Sequence, residues 1–280
     1  MVPHIFRYEI SPHVWVELEC TGTLHFSRSS FQKIEVVESL DFGRMLVLDD
    51  VINLTERDEH IYHEMLGHIP LFSHPNPRKV FVVGGGDGGT AREVLKHEVV
   101  ESIQLVEIDK EVISVSKEYF PAMALALEHP KVNVLVMDAI QYLQKTQEKF
   151  DIILIDATDP VMEQSGGLFT VPFFRDCLNV LEDNGILAAQ VGDVIFEPGV
   201  VLKVFDSLKE VFPVARMYLA PIPSYALVPY CFAFCSKTIE AERGLGLSRF
   251  EKGLQTRYYN PQIHQAAFAL PEDLRRDFEG

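Results

Sequence analysis

The segment VFVVGGGDGGTAREVLK, Val80 to Lys96, decides the fold. It reads as three pieces: a short apolar, β-branched run (Val80 to Val83), a loop of glycines from Gly84 to Gly89, and a helix-forming stretch from Thr90 onward. Strand, glycine turn and helix in that order open a nucleotide-binding βαβ unit. Gly84 and Gly86 stand where backbone must approach a ligand closely. Glu107 ends the next strand, 23 positions after Gly84, where a carboxylate can accept both hydroxyls of a ribose.

Working outward, apolar strands and amphipathic helices alternate: QLVEID, VISVSKEYF, VNVLVMD, AIQYLQKT, FDIILID, VPFFRDCLNVLE, GILAAQV and VLKVFDSLKEVF. This predicts a doubly wound, mostly parallel α/β sheet with helices on both faces. Phe6 to Leu54 has another texture. Alternating runs such as QKIEVVES and GRMLVLDD are broken by Gly22, Gly43 and Asp49-Asp50, which predicts the hairpins of a small antiparallel β-sheet. We therefore expect a β-strand domain over residues 1–55 and a Rossmann-like domain over 56–280.

Charge narrows the partners. With 25 basic against 41 acidic residues the net charge is −16, a surface that repels nucleic acid and anionic lipid and attracts cations. There is no apolar run of eighteen residues, and Met1 to Ile10 lacks a signal-peptide profile. Of the four cysteines, Cys231 and Cys235 fall in one expected strand, about 13 Å apart and too far to bridge. We expect a cytoplasmic protein.

Asp87 is the anomaly in the glycine loop. A dinucleotide would bring its pyrophosphate to this helix N-terminus, against a carboxylate. An S-adenosylmethionine-type nucleoside carries no phosphate. Intact S-adenosylmethionine has a carboxylate that Asp87 would repel; the decarboxylated form is a dication whose ammonium Asp87 would hold. At about 4 Å and an effective dielectric near 20 such a contact is on the order of a few kcal/mol before desolvation, enough to discriminate. A turn-forming role for Asp87 is the plainer alternative.

Asp138, at the end of VNVLVMD, and Asp156 and Asp159, in IDATDP, are further acids at strand ends, where ligands of open α/β sheets bind. Asp138 is placed either to meet an adenine amino group or to cap the following helix. DATDPVMEQSGGLF is a long loop with the character of a lid. HEMLGH, His63 to His68, has one residue too many for a zinc-protease helix, since spacing i, i+5 turns the imidazoles about 140° apart, so no metal is expected.

These residues resemble the spermidine synthase family of polyamine aminopropyltransferases. The likeness runs from about Phe6 to Leu270 through LDDVINLTERDEHIYHEM, HPNPRKVFVVGGGDGGTAREVLKH, VESIQLVEID, FDIILIDATDP, IPSY and RYYNPQIHQAAFALP. It implies a methyltransferase-like Rossmann domain and an N-terminal β-domain that joins copies into a homodimer or homotetramer. It implies transfer of a 3-aminopropyl group from decarboxylated S-adenosylmethionine, a co-substrate rather than a prosthetic group, to a diamine, giving a triamine and methylthioadenosine. Position by position, Gln32 and Glu107 match the nucleoside-holding residues, Asp138 and Ala139 those at the adenine, and Asp87 the one at the propylamine. Asp156 matches the carboxylate beside the attacking amine. Tyr62, Asp159, Gln190 and Tyr225 match the acceptor site, with His63 next to Tyr62, and Tyr62 and Asp156 are the expected catalytic pair.

Departures cluster near the acceptor. Phe6 stands for a tryptophan, Asp50 and Asn53 alter LDG-x-x-Q, Met137 replaces a glycine, and ALVPYCF follows Tyr225. Putrescine is the expected acceptor, with agmatine and cadaverine as alternatives. A methyl- or aminocarboxypropyltransferase and a non-catalytic nucleoside-binding paralogue remain open on the same scaffold.

Overall fold

A computed structural model describes residues 4–160, 165, 167–225, 229–241, 249–250 and 253–279. The first 55 residues supply β1 (His4–Ser11), β2 (Val14–Arg28), β3 (Lys33–Ser39), β4 (Gly43–Leu48) and β5 (Val51–Thr55), paired antiparallel in that order. The β4–β5 turn explains the Asp-Asp pair. Asp49 and Asp50 adopt φ of 48° and 70°, the two left-handed positions of a type I′ hairpin, which aspartate tolerates better than most residues. Asp49 is also useful there, its Oδ1 accepting from the Lys33 N–H at 2.8 Å.

Helix α1 (Glu59–Ser73) leads into the second sheet, built from β6 (Lys79–Gly84), β7 (Ser102–Glu107), β8 (Val132–Val136), β9 (Phe150–Asp156), β10 (Leu181–Asp193), β11 (Val214–Pro221) and β12 (Pro229–Ser236). Between and after these strands lie α2 (Gly89–Leu95), α3 (Lys110–Tyr119), α4 (Pro121–Ala124), α5 (Ala139–Lys145), α6 (Val171–Val180), α7 (Pro198–Val211), α8 (Pro261–Ala266) and α9 (Glu272–Glu279). The order is β11-β12-β10-β9-β6-β7-β8, with β6 to β10 parallel and β12 antiparallel to both of its neighbours. The expected doubly wound, mostly parallel sheet after a small antiparallel sheet is what the chain forms. One boundary differs. β10 starts at Leu181, ahead of the GILAAQV run, and its pairing with β9 is interrupted between Leu181 and Ile186, so polar LEDN is strand without an apolar pattern.

Alternation along β6 shows why its sequence is continuously apolar. Val80 and Val82 enter the layer containing α1 and α2, with Met65, Leu66, Ala91 and Val94, while Phe81 and Val83 enter the layer of α5 to α7, with Tyr142, Phe174 and Phe205. A strand covered on both faces has no side for polar residues. The small sheet is also packed on both faces: Ile34, Val36, Leu46 and Leu48 lie on Val112, Val115 and Phe120, and Phe6, Cys20, Met45 and Ile52 form a separate cluster. All four cysteines are buried thiols. No described helix is long and apolar enough to cross a membrane.

β6 is flanked by β7 on one side and β9 on the other, so the chain reverses its direction of winding at β6. The crevice beyond the carboxyl ends of β6 and β9 is the expected ligand position in such a sheet. Gly84 and Asp156 are register partners there.

Candidate active site

A cavity of about 270 Å³ opens at that crevice. Gln32, Tyr62, His63, Gly84, Gly86, Asp87, Glu107, Asp138, Ala139, Asp156, Asp159 and Tyr225 all line it, so twelve of the thirteen residues singled out above converge. Gln190 alone stands behind the wall. Its amide nitrogen donates to the carbonyls of Ala157 (2.7 Å) and Thr158 (3.0 Å), and its oxygen lies 2.7 Å from the Tyr230 hydroxyl. It holds the strand-end loop and Tyr230, and Tyr230 in turn meets Asp159.

The glycine loop brings two acids together. Gly84 has φ of +80°, and a Cβ there would lie 2.2 Å from the Asp156 carbonyl oxygen, so only glycine lets β6 and β9 close at this level. Asp87 is buried, and its Oδ1 accepts from the Gly89 N–H at 2.7 Å while facing His63 Nε2 at 3.3 Å. The turn-forming role and the cavity-facing role are therefore both present in one side chain.

His63 is the pivot. Its Nδ1 is 2.7 Å from Glu59 Oε2, one helical turn earlier, and Arg92 clamps Glu59 with two bonds of 3.0 and 2.8 Å. Burial opposes charge on His63, but Asp87 and Glu59 outweigh it and hold its pKa up at about 10. Glu59, despite burial, is held down to about 2 by His63 and Arg92. A chain of polar contacts continues from Arg92: its Nε to Glu93 at 2.8 Å, Glu93 to His68 at 3.1 Å, and His68 to His97 at 2.9 Å. The two histidines of HEMLGH thus belong to different partners.

His63, Asp87 and Asp156 could each bring one ligand atom within 4.8 Å of the others. A His63 that donates from both ring nitrogens, to Glu59 and toward Asp87, offers no lone pair to a metal.

Asp156 is held from one side only. Its Oδ1 accepts from the Tyr62 hydroxyl at 2.8 Å, whereas its buried Oδ2 has no hydrogen-bond partner among the described residues. The Thr90 hydroxyl is close enough to favour the anion, yet Thr90 Oγ1 is itself unpartnered. Burial and the neighbouring Asp87 push Asp156 up to about 6, against His63, Thr90 and Tyr62. Tyr62, whose own ionisation burial and Asp156 push well above the ordinary value, remains a proton donor to the carboxylate. An unpaired buried carboxylate oxygen is costly, so a cationic donor in the cavity would relieve it.

On the other flank, Glu107 is anchored by N–H groups of Gly86 (3.1 Å) and Asp109 (2.8 Å), and burial pushes it up to about 7. Asp109 caps α3 and also accepts from Gln32 at 3.0 Å and Ser29 at 2.6 Å, tying the small sheet to the crevice. Asp138 caps α5 through the Ile140 N–H at 2.8 Å and still lines the cavity, so the two readings of it coexist.

Among the departures, Met137 and Asn53 line the cavity, with the Tyr225 hydroxyl donating to the Asn53 carbonyl. Asp50 turns away to Lys33. Phe6 does not line the cavity. It is spent in the small-sheet cluster, and Tyr8, two residues along the same strand, lines the cavity instead. Sequence reasoning missed Tyr8, Asp193 and Tyr230; strand alternation from Phe6 would have pointed to Tyr8. Most of the lid loop (Val161–Gln164 and Gly166) and Ala226–Val228 lie outside the described residues.

Comparison with known proteins agrees with this geometry. The family model described as spermine/spermidine synthase domain matches residues 59–243, and that described as spermidine synthase tetramerisation domain matches residues 5–56. A polyamine aminopropyltransferase of Caldicellulosiruptor saccharolyticus is 38% identical over 98% of both chains. One from Bacillus cereus is 41% identical over 95% of this chain and 96% of the relative. A crystal structure of a spermidine synthase in complex with the transition-state analogue AdoDATO superposes with TM-score 0.95 at 33% identity, covering 99% of this chain and 96% of the other. The spermidine synthase of Thermotoga maritima gives 0.94 at 32% identity, covering 100% and 95%. With both family models matched in order and relatives alike over nearly their whole length, the chain belongs to the spermine/spermidine synthase family of polyamine aminopropyltransferases.

Proposed function

We propose that the protein transfers the 3-aminopropyl group of decarboxylated S-adenosylmethionine to putrescine, giving spermidine and 5′-methylthioadenosine. The observation that carries this reading is the unpaired Oδ2 of Asp156 beside Asp87, with Tyr62 holding the opposite oxygen. In this reading Asp138 and Ala139 meet the adenine, Glu107 and Gln32 the ribose, and Asp87 the propyl ammonium. Gly84 and Gly86 let the backbone approach the nucleoside. Tyr62, His63, Asp159 and Tyr225 surround the acceptor, and Gln190 supports that wall from behind.

The reaction forms a C–N bond and breaks the C–S⁺ bond of the sulfonium. A neutral thioether departs, so no acid is needed for the leaving group. The nucleophile is the difficulty, because an alkylamine with pKa near 10.4 is about 99.9% protonated at neutral pH. The cationic His63 and the donor's own positive charge make loss of that proton easier, and Asp156 takes it while Tyr62 keeps the carboxylate oriented. Alignment of the freed lone pair with the propyl carbon supplies the rest.

The N-terminal sheet is the proposed contact between copies, in a homodimer or homotetramer. Trp15, Phe26 and Ile5 are exposed on β1 and β2, and the matching family model is described as a tetramerisation domain. Four buried free thiols suit the reducing cytoplasm. Incubating the protein with decarboxylated S-adenosylmethionine and putrescine, cadaverine or agmatine, then identifying products by mass, tests the reading. Spermidine as the leading product supports it. A lead for agmatine replaces the acceptor; methylation or aminocarboxypropylation from intact S-adenosylmethionine, or ligand binding without turnover, removes the proposal.

A further inference from the structure

Both side chains assigned to the ribose are held by one residue that does not itself line the cavity. Glu107 Oε1 accepts from the Asp109 backbone N–H at 2.8 Å. Gln32 reaches the same residue from the other sheet, its Nε2 donating to Asp109 Oδ2 at 3.0 Å across 77 positions of sequence. Asp109 is buried, and its Oδ1 caps α3 through the Glu111 N–H at 3.0 Å, which fixes the plane of the carboxylate.

The loop that carries Gln32, between β2 and β3, is pinned at the same point. Ser29 Oγ donates to Asp109 Oδ2 at 2.6 Å while accepting from the N–H groups of Phe31 (3.0 Å) and Gln32 (3.1 Å). Just beyond the loop, Ile34 and Val36 pack on Val112 and Val115 of α3, so an apolar contact backs the polar one. A carboxylate accepts and does not donate, so Asp109 engages the amide nitrogen of Gln32 and leaves its carbonyl oxygen free. No hydrogen bond among the described residues uses that oxygen, and Gln32 lines the cavity. Gln32 Oε1 and the Glu107 carboxylate are then two acceptors, matched to the two hydroxyls of a ribose.

We infer that Asp109 is a positioning residue for the donor nucleoside, its carboxylate docking the Ser29–Gln32 loop of the small sheet so that the Gln32 carbonyl oxygen meets a ribose hydroxyl. This rests on the proposed reading of Gln32 and Glu107 as the ribose-holding pair. It assigns to Asp109 more than the capping of α3. The donor site is complete only when the small sheet is seated on α3, and Asp109 is where that seating is made.

The probe is 5′-methylthioadenosine, which is uncharged, so a changed affinity does not report the lost carboxylate charge. Asp109→Ser separates the two roles, because serine is as good a helix cap as aspartate but offers no second oxygen to Gln32 and Ser29. By calorimetry the variant should bind the probe at least ~5-fold more weakly. In a Gln32→Ala background the same substitution should change affinity by no more than about 2-fold, since the contact it removes is already gone. In turnover, KM for the donor should rise while kcat and the KM of the amine stay within about 2-fold. Ser29→Ala, which leaves Asp109 and its cap intact, should act in the same direction and more weakly. Unchanged probe affinity in both Asp109→Ser and Ser29→Ala overturns the inference. So does a loss in Asp109→Ser that is equally large with and without Gln32, which would mark Asp109 as a helix cap alone. Wild-type protein that does not bind 5′-methylthioadenosine would instead overturn the nucleoside reading on which the inference rests.

Discussion

The Tyr62 hydroxyl donates to one oxygen of Asp156 at 2.8 Å and leaves the other buried and, among the described residues, unpaired. The two residues are 94 positions apart, one on the first helix and one at the end of β9, and the crevice of the sheet exists where they meet. The bond orients the carboxylate and favours its anion, while burial and Asp87 push the other way and leave Asp156 at about 6.

The first prediction is a pH profile. The general base must be ionised, so kcat/KM should fall as pH drops through about 6. Because Tyr62 favours the Asp156 anion, Tyr62→Phe should move this acid limb to higher pH. Asp156→Asn should abolish the limb and lower kcat at least ~100-fold at pH 7, with partial recovery by pH 9.5 as solution supplies neutral amine. A folded Asp156→Asn enzyme with near-wild-type turnover at pH 7 would remove Asp156 from the mechanism.

The second concerns the donor. Asp87 should make the decarboxylated nucleoside bind at least ~10-fold more tightly than intact S-adenosylmethionine, equivalent to about 1.4 kcal/mol. Asp87→Asn should shrink that gap. Calorimetry on both ligands decides it, and equal affinities in the wild type would refute the charge argument.

How much of this was legible in the sequence follows from where each contact comes from. The strand, glycine loop and helix of Val80 to Lys96 are local, and the following strand ends carry their acids in plain view. The i, i+4 pair Glu59–His63 is local too, but its clamp, Arg92, comes from another helix, so the charge on His63 could not be read from α1 alone. Gln190 matched a family position, yet side-chain direction within a strand end depends on a register shift that periodicity does not reveal. Phe6 and Tyr8 illustrate the same limit: both point inward, and only the packing of one sheet against the other separates core from cavity.

The third prediction is a stability profile. His63 has its pKa raised from 6.5 to about 10, so its contribution is complete below about 6.5 and lost as pH rises through 10. Glu59 is depressed from 4.5 to about 2, so its contribution is present above 4.5 and lost as pH falls through 2. Glu59→Gln should therefore cost most between pH 4.5 and 6.5, about 3–5 kcal/mol for breaking a buried pair. The cost should narrow toward pH 10, leaving the part owed to Arg92. Urea unfolding of both proteins at pH 5.5, 8 and 9.5 measures this, and a cost that is constant across the series would show that His63 is not charged in the fold.

The last prediction tests the seat of His63. A Cβ added at Gly89 would lie 2.3 Å from the ring Cε1 and 2.5 Å from both ring nitrogens. The ring cannot yield cheaply, because Glu59 holds one nitrogen, Asp87 faces the other, and Tyr62 packs edge-on at 5.3 Å. Gly89→Ala should destabilise the protein by about 1–3 kcal/mol, as overpacking does. It should also move His63 away from Asp156, and since His63 favours the Asp156 anion, the acid limb of kcat/KM should shift to higher pH. Gly199→Ala is the control: nothing lies within 4 Å of its added Cβ, and it should leave both Tm and the limb nearly unchanged. A Gly89→Ala enzyme with lowered Tm and an unmoved acid limb would show that His63 braces α1 against α2 without tuning Asp156.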